Sequence, residues 1–153
     1  MPLPPLTEAT VRLGVSAADW RAAVRLSGDV LVASGSVSRG YPQRMVDVIE
    51  EFGAYVVIAP GLALAHARPG ADVVENGLSL VTLESPVSFG HAHNDPVHVV
   101  IGIAVTTADV HVTGIADLAN AFNDPDLVPA LSAATDATTA IGLIESATAR
   151  GAV

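Results

Sequence analysis

The chain has 153 residues, half of them hydrophobic, with one Trp, two Tyr and three Phe, and 16 acidic against seven basic residues. This length predicts one domain with an aliphatic core. The acidic surface argues against nucleic-acid binding, which depends on neutralising phosphates, and suits a partner with a positive face. The sequence contains neither Cys nor Lys, which excludes disulfides, thiolate nucleophiles, Walker A loops and Schiff-base enzymes.

The ends and the apolar runs of the chain predict a soluble, cytoplasmic protein. Pro96 to Ala108 carries no acid or arginine, but it is too short to cross a bilayer. The opening Met-Pro-Leu-Pro-Pro has no basic segment leading into an apolar one, so no signal peptide is expected. We interpret residues 1–9 as a flexible, proline-rich lead-in and residues 10–153 as the folded domain.

The first half of the domain is predicted to contain one strand, then two helices, then two further strands. Ser16 and Asp19 have the spacing of a capping box at the start of a helix, and Gly53 is placed to end a second helix. A Pro-Gly pair closes a short β-branched strand, and the next segment resumes a strand that delivers His66 at its end. The predicted elements are a strand at 10–14, a helix at 17–33, a helix at 42–52, and strands at 55–58 and 62–64.

The second half predicts two strands followed by helices. The second of these strands is apolar on both faces, which indicates that it is covered on both sides. Asp109 is a good N-cap for the helix that follows it. The predicted elements are strands at 77–83 and 97–105, a loop at 84–96, and helices at 109–122, 126–134 and 138–150. This order predicts an α/β domain with a mixed sheet and helices on both faces.

His66 and Arg68 are the first candidate pair for chemistry. The residues around His66 are small and follow a Pro-Gly turn, so little steric cover is expected over the imidazole. The guanidinium of Arg68 has the shape that matches phosphate oxygens. One interpretation is a histidine nucleophile beside an anion site. The other is a loop histidine whose neighbouring arginine pairs with one of the many acids.

Three further histidines have weaker contexts. His111 lies in the first turn of a predicted helix, where the free N–H groups favour an anion and a neutral imidazole, although a surface histidine near a helix cap is the simpler interpretation. His91 and His93 stand in a loop beside Asp95 and could form part of a metal site, but no further ligands are evident. A solvated loop is the simpler interpretation of that pair.

At this point the sequence resembles the mannitol/fructose-type enzyme IIA domains of the bacterial sugar phosphotransferase system, and most closely their ascorbate-type branch. The resemblance runs from about residue 10 to the end. It rests on residues 16–20, 41–45, 55–69, 77–90, 94–97, 109–111 and Leu118. The long motif that ends in Leu-Ala-His-Ala-Arg-Pro, around His66, is its most specific part.

The resemblance implies a function and a fold. It identifies residues 10–153 as an EIIA type 2 domain, a three-layer α/β/α sandwich. The family's phosphorylated histidine falls on His66, its supporting histidine on His111, and an arginine of the ascorbate-type motif on Arg68. Phosphate would come from the phosphocarrier protein HPr and pass to a cysteine of a IIB partner, and through it serve a membrane IIC component. No cofactor or metal is implied.

Two positions and two rival functions stay open. Ala65 stands where the family usually has Pro, which frees the backbone before His66 and adds an N–H. Arg44 lies near where other branches carry an arginine of the active site. The rival functions are a regulatory module controlled by phosphorylation of His66, and a metal-dependent enzyme that uses His91, His93 and His111. Pairing of two copies through a sheet edge or a helix face is a further open question.

Overall fold

The computed structural model describes the backbone of residues 3–151, and the side chains of that range apart from 110–114, 150 and 151. Five strands and five α-helices account for most of it. The strands are β1 (Val11–Val15), β2 (Val57–Ala59), β3 (Leu62–His66), β4 (Gly77–Val87) and β5 (Val97–Ala104). The helices are α1 (Trp20–Ala33), α2 (Tyr41–Phe52), α3 (Ala108–Ala121), α4 (Leu127–Ala133) and α5 (Ala137–Gly151).

The strands form one mixed sheet in the order β1-β4-β5-β3-β2. β1 runs parallel to β4, and β3 runs parallel to β5, whereas β4–β5 and β2–β3 are antiparallel. The pairing of β3 with β5 ends at His66 opposite Ile103. The carboxyl ends of these two parallel strands therefore lie side by side, and α3 begins shortly after the end of β5.

The two faces of the sheet carry separate halves of the core. In β3, Leu62 and Leu64 pack with the cluster formed by α3, α4 and α5, while Ala63 and Ala65 pack with the cluster formed by α1 and α2. This alternation follows from the two-residue period of a strand. All five residues of β3 are buried. The predicted three-layer α/β/α sandwich around a mixed sheet is confirmed.

Some predicted boundaries are wrong by a few residues. The first helix begins at Trp20 rather than near residue 17, because the Asp19 carboxylate accepts the Ala22 N–H (2.9 Å) and is itself the N-cap. β4 continues to Val87, so the loop before β5 is shorter than predicted. The strand predicted to start at Tyr55 starts at Val57, after a 3-10 turn at Ala54–Val56. Asp109 lies in the first turn of α3 rather than before it.

The predicted end of α2 is confirmed. Gly53 ends α2 with a positive φ of 88°, and its N–H bonds the Ile49 carbonyl at 2.7 Å. The side chain of Leu6, within the proline-rich opening segment, is buried against the core on the α3–α5 side. None of the helices found within residues 3–151 combines the length and apolar character that a membrane span requires.

Candidate functional site

His66 is the last residue of β3, and its ring is held by the strand that carries it. The Nδ1 atom lies 2.8 Å from the carbonyl oxygen of Leu64. Because a carbonyl only accepts, this contact requires the proton on Nδ1 and leaves the lone pair of a neutral ring on Nε2. The neighbouring ring of Tyr55 meets the imidazole edge-on, with centroids 6.1 Å apart and planes at 87°.

The expectation that His66 has little steric cover is wrong. The residue is only 8% exposed, because β3 is covered on both faces of the sheet. Its ring nevertheless reaches a surface cavity of about 750 Å³. Two arginines from different segments share this cavity with the imidazole. The lining residues are Arg44, Val48, Glu51, Phe52, Tyr55, His66, Ala67 and Arg68.

Arg44 projects from α2 and holds the segment that follows β3. Its Nε and Nη2 atoms donate to the two carboxylate oxygens of Asp72 at 2.8 and 2.7 Å, and Nη2 also donates to the Arg68 carbonyl at 2.7 Å. The Arg44 hydrogen bonds hold the pKa of Asp72 below its ordinary value, outweighing the opposing effect of burial. A two-pronged charged contact of this kind fixes geometry as well as charge.

Arg68 follows His66 by two residues and has an exposed side chain. Burial raises the pKa of the Tyr55 hydroxyl, and the positive charge of Arg68 partly offsets that rise. Arg68 lines the same cavity as Tyr55 and His66. It therefore supplies an exposed cation to this cavity, while Arg44 is engaged with Asp72.

Tyr41, the first residue of α2, is completely buried beneath the cavity. Its hydroxyl accepts the N–H of Ala67 at 3.0 Å and donates to the carbonyl of Ile103 at 2.6 Å. Burial raises the pKa of Tyr41 to about 12, so the hydroxyl keeps its proton at neutral pH. Sequence reasoning assigned no role to Tyr41 or Asp72, because Tyr41 lies 26 residues from its partner Ala67 and Asp72 lies 28 residues from its partner Arg44, so no local pattern connects them.

Two exposed aromatic residues form the rim of the cavity. Phe52 is 61% exposed and Tyr55 is 48% exposed, and both line the cavity with the imidazole. Exposed aromatic side chains beside a cavity are typical of surfaces that contact another protein. Charged residues of α2, Glu51 among them, border the same surface.

The remaining predicted residues lie elsewhere or outside the description. The side chain of His111 is outside the described residues. The Asp95 carboxylate stabilises the loop before β5. It accepts hydrogen bonds from the Ser88 hydroxyl and from the backbone N–H groups of Phe89, Gly90 and His91. The His91 Nδ1 accepts the N–H groups of His93 and Asn94.

No cluster of three or more His, Cys, Asp or Glu side chains suited to a metal occurs in the part of the chain whose side chains are described. Burial raises the pKa of Asp95, but the four donors outweigh it, so the pKa lies below its ordinary value. The hydrogen bonds from the folded loop therefore stabilise the charged form of the Asp95 carboxylate.

The sequence and the fold of this chain are similar to those of known proteins. The family model described as "Phosphoenolpyruvate-dependent sugar phosphotransferase system, EIIA 2" matches residues 5–147. The ascorbate-specific PTS system EIIA component of Salmonella choleraesuis (strain SC-B67) is 41% identical over 137 residues, covering 89% of both chains. Its counterpart from Escherichia coli (strain K12) is 43% identical over 118 residues, covering 76% of this chain and 77% of the other.

A solved structure has the same fold in contact with another protein. It is the complex of enzyme IIA-Mtl with phosphorylated enzyme IIB-Mtl from Escherichia coli, with a TM-score of 0.82, 26% identity, and coverage of 92% of this chain and 97% of that one. The fold and the sequence together define a IIA domain. The chain belongs to the EIIA type 2 family of the phosphoenolpyruvate-dependent sugar phosphotransferase system.

Proposed function

We propose that the protein is a phosphoryl carrier in which the Nε2 atom of His66 accepts phosphate from HPr and passes it to a cysteine of a IIB partner. The observation that carries this proposal is the contact between Nδ1 and the Leu64 carbonyl (2.8 Å). It assigns the lone pair to Nε2, in a ring that reaches a cavity containing two arginines.

The proposed reaction consists of two displacements. The Nε2 lone pair attacks the phosphorus of the phosphorylated donor, the bond from phosphorus to the donor breaks, and a phosphoramidate forms on His66. A thiolate then attacks the same phosphorus, and the electron pair of the N–P bond returns to Nε2. The chain has no cysteine, so the thiolate belongs to another protein.

Catalysis of such a transfer depends mainly on positioning and on stabilising negative charge. The exposed guanidinium of Arg68 is the group we assign to the phosphoryl oxygens, because its fork matches them. His111 is assigned the supporting role. It falls in the first turn of α3, which begins beside the carboxyl end of β3, where helix N–H groups and a neutral imidazole favour an anion.

The transported substrate is proposed from relatives. The curated relatives compared above are named ascorbate-specific, and we propose an ascorbate-like sugar acid as the cargo of the partner membrane component. The chain would act in the cytoplasm and contact its protein partners through the aromatic rim of Phe52 and Tyr55, without touching the sugar. The net charge of −9 suits a partner with a positively charged surface.

The test is phosphorylation with phosphoenolpyruvate, enzyme I and HPr, followed by intact-mass measurement. The wild-type protein should gain one phosphoryl group that is lost in acid and retained in base. His66→Ala should gain none, whereas His93→Ala, which removes an exposed histidine of the loop before β5, should be labelled normally. An unlabelled wild-type protein, or a labelled His66→Ala, would contradict the proposal.

A second measurement addresses the acceptor. Phosphorylated protein is mixed with purified IIB domains of the ascorbate type and of the mannitol type. We expect faster transfer to the ascorbate-type acceptor. Equal rates, or faster transfer to the mannitol type, would overturn the assigned cargo and leave the role of His66 intact.

A further inference from the structure

We infer that Tyr41 is a positioning residue that fixes the backbone on which His66 acts, an inference that rests on the proposed carrier function. Tyr41 does not line the cavity, and its side chain has no exposed surface. Its hydroxyl touches the chain one residue beyond the imidazole, at the Ala67 N–H (3.0 Å). Any influence of the hydroxyl on the reaction therefore passes through the main chain.

The position of the hydroxyl in the sheet explains what it does. The ladder between β3 and β5 ends with His66 opposite Ile103. At that pair, the Tyr41 hydroxyl accepts from Ala67, the first residue after β3, and donates to the Ile103 carbonyl (2.6 Å) of β5. One phenolic oxygen thus bridges the two strand ends. The strands can part there, where the cavity begins, without leaving either buried backbone group unsatisfied.

This bridge fixes the peptide group between His66 and Ala67. The imidazole is anchored on the other side by the Leu64 carbonyl. With both ends of the residue held, the direction in which Nε2 points is defined before a donor arrives. The ring of Tyr41 also lies against the Arg44 guanidinium, 5.5 Å from ring centroid to Cζ.

The variant Tyr41→Phe separates the effect of the hydroxyl from the effect of the ring. It keeps the packing and the contact with Arg44, and it removes only the bridge. Reactions between aligned groups are sensitive to small displacements, and we expect the maximal rate of phosphoryl uptake from HPr to fall about tenfold or more. The KM for phosphorylated HPr should stay within about twofold, because no residue of the exposed rim changes.

Thr82→Val is the matched control. The Thr82 hydroxyl is also buried, and it accepts a backbone N–H, that of Gly14, at 2.8 Å. It lies on β4, two strands away from β3. Tyr41→Phe loses two buried hydroxyl bonds to the main chain and Thr82→Val loses one, so both variants should lose stability, Tyr41→Phe the more. Only Tyr41→Phe should lose transfer rate. Equal rates in the two variants would overturn the inference.

A second readout does not depend on phosphoryl transfer. In ¹⁵N-labelled protein, Tyr41→Phe should increase hydrogen exchange at the Ala67 amide and shift the His66 ring nitrogens, while Thr82→Val should leave both unchanged. Unchanged Ala67 exchange and unchanged ring signals in Tyr41→Phe would refute the positioning role. If the wild-type protein fails to accept phosphate, the carrier proposal fails by itself, and these spectra still decide the role of Tyr41.

Discussion

Replacing Asp72 by Asn tests how firmly the segment after His66 is held. In the native protein, both carboxylate oxygens accept from Arg44, at 2.7 and 2.8 Å. An amide keeps one acceptor and turns an N–H₂ group toward the guanidinium, so one charged hydrogen bond is lost and a repulsive contact is gained.

The magnitude follows from geometry and exposure. A hydrogen bond to a charged group contributes about 1.5–3 kcal/mol, and exposed ion pairs contribute less than about 1 kcal/mol. Asp72 is 18% exposed and Arg44 is 36% exposed, so the pair lies between these cases. We expect a loss of about 1–2 kcal/mol in the free energy of unfolding, which lowers Tm by about 2–8 °C in a domain of this size.

The dependence on pH gives the sharper test. The pKa of Asp72 in the folded protein is lowered from its ordinary value of 3.8, first by the Arg44 hydrogen bonds. A carboxyl group with a lowered pKa contributes stability that is complete above its unfolded pKa and is lost as the pH falls through its folded pKa. The difference between wild type and Asp72→Asn should therefore be full at pH 7 and should shrink below about pH 4.

Urea denaturation at pH 7 and at a series of acidic pH values measures this difference. Asp47→Asn is the matched control, because Asp47 is an exposed acid on α2 and its replacement makes the same change in net charge. A stability loss in Asp72→Asn that matches that of Asp47→Asn, or one that is constant from pH 7 to pH 3, would refute the reasoning.

Three further changes test separate features of the structure. Asp95→Asn should lower the free energy of unfolding by about 2 kcal/mol, as measured by urea denaturation at pH 7. The reason is that three of the four hydrogen bonds of the carboxylate are accepted by Oδ2. An unchanged denaturation midpoint would contradict the role assigned to Asp95 in this loop. Phe52→Ser should change stability by less than about 0.5 kcal/mol and raise the KM for phosphorylated HPr about fivefold, as measured by initial rates; an unaltered KM would remove Phe52 from the docking surface. Gly28→Ala should lower the free energy of unfolding by about 1–3 kcal/mol, as measured by thermal unfolding. The added Cβ would lie 2.8 Å from the Pro42 Cβ and would push α1 away from α2. A Tm equal to that of the wild type would argue against this close packing.

The fold was predictable because the informative patterns are local. The apolar run of β5 indicated a strand covered on both faces, and the structure confirms it. Gly53 indicated the end of α2 by the same kind of signal. The start of α1 was misjudged because Ser16 and Asp19 both have cap chemistry, and only the course of β1, which runs on to Val15, decides between them.

The site was predictable only in part. His66 at the end of a strand, with Arg68 two residues later, is a pattern within a few residues of sequence. The pairing of Arg44 with Asp72 joins residues 28 apart, and the bridge from Tyr41 to Ile103 joins residues 62 apart. Such contacts depend on how helices pack on the sheet. The burial of His66 was missed for the same reason, because cover over β3 comes from other elements.

The small side chains of the alanines in and just after β3 allow α2 to pack close to the end of the strand. Ala63, Ala65 and Ala67 are fully or almost fully buried on the side where α1 and α2 pack. Because the side chains there are only methyl groups, α2 lies close to the sheet. The Tyr41 hydroxyl can then reach both Ala67 and Ile103, and the Arg44 guanidinium can reach Asp72. Relatives with bulkier residues at these positions would need a different helix spacing, and hence different partners for the main chain around the imidazole of His66.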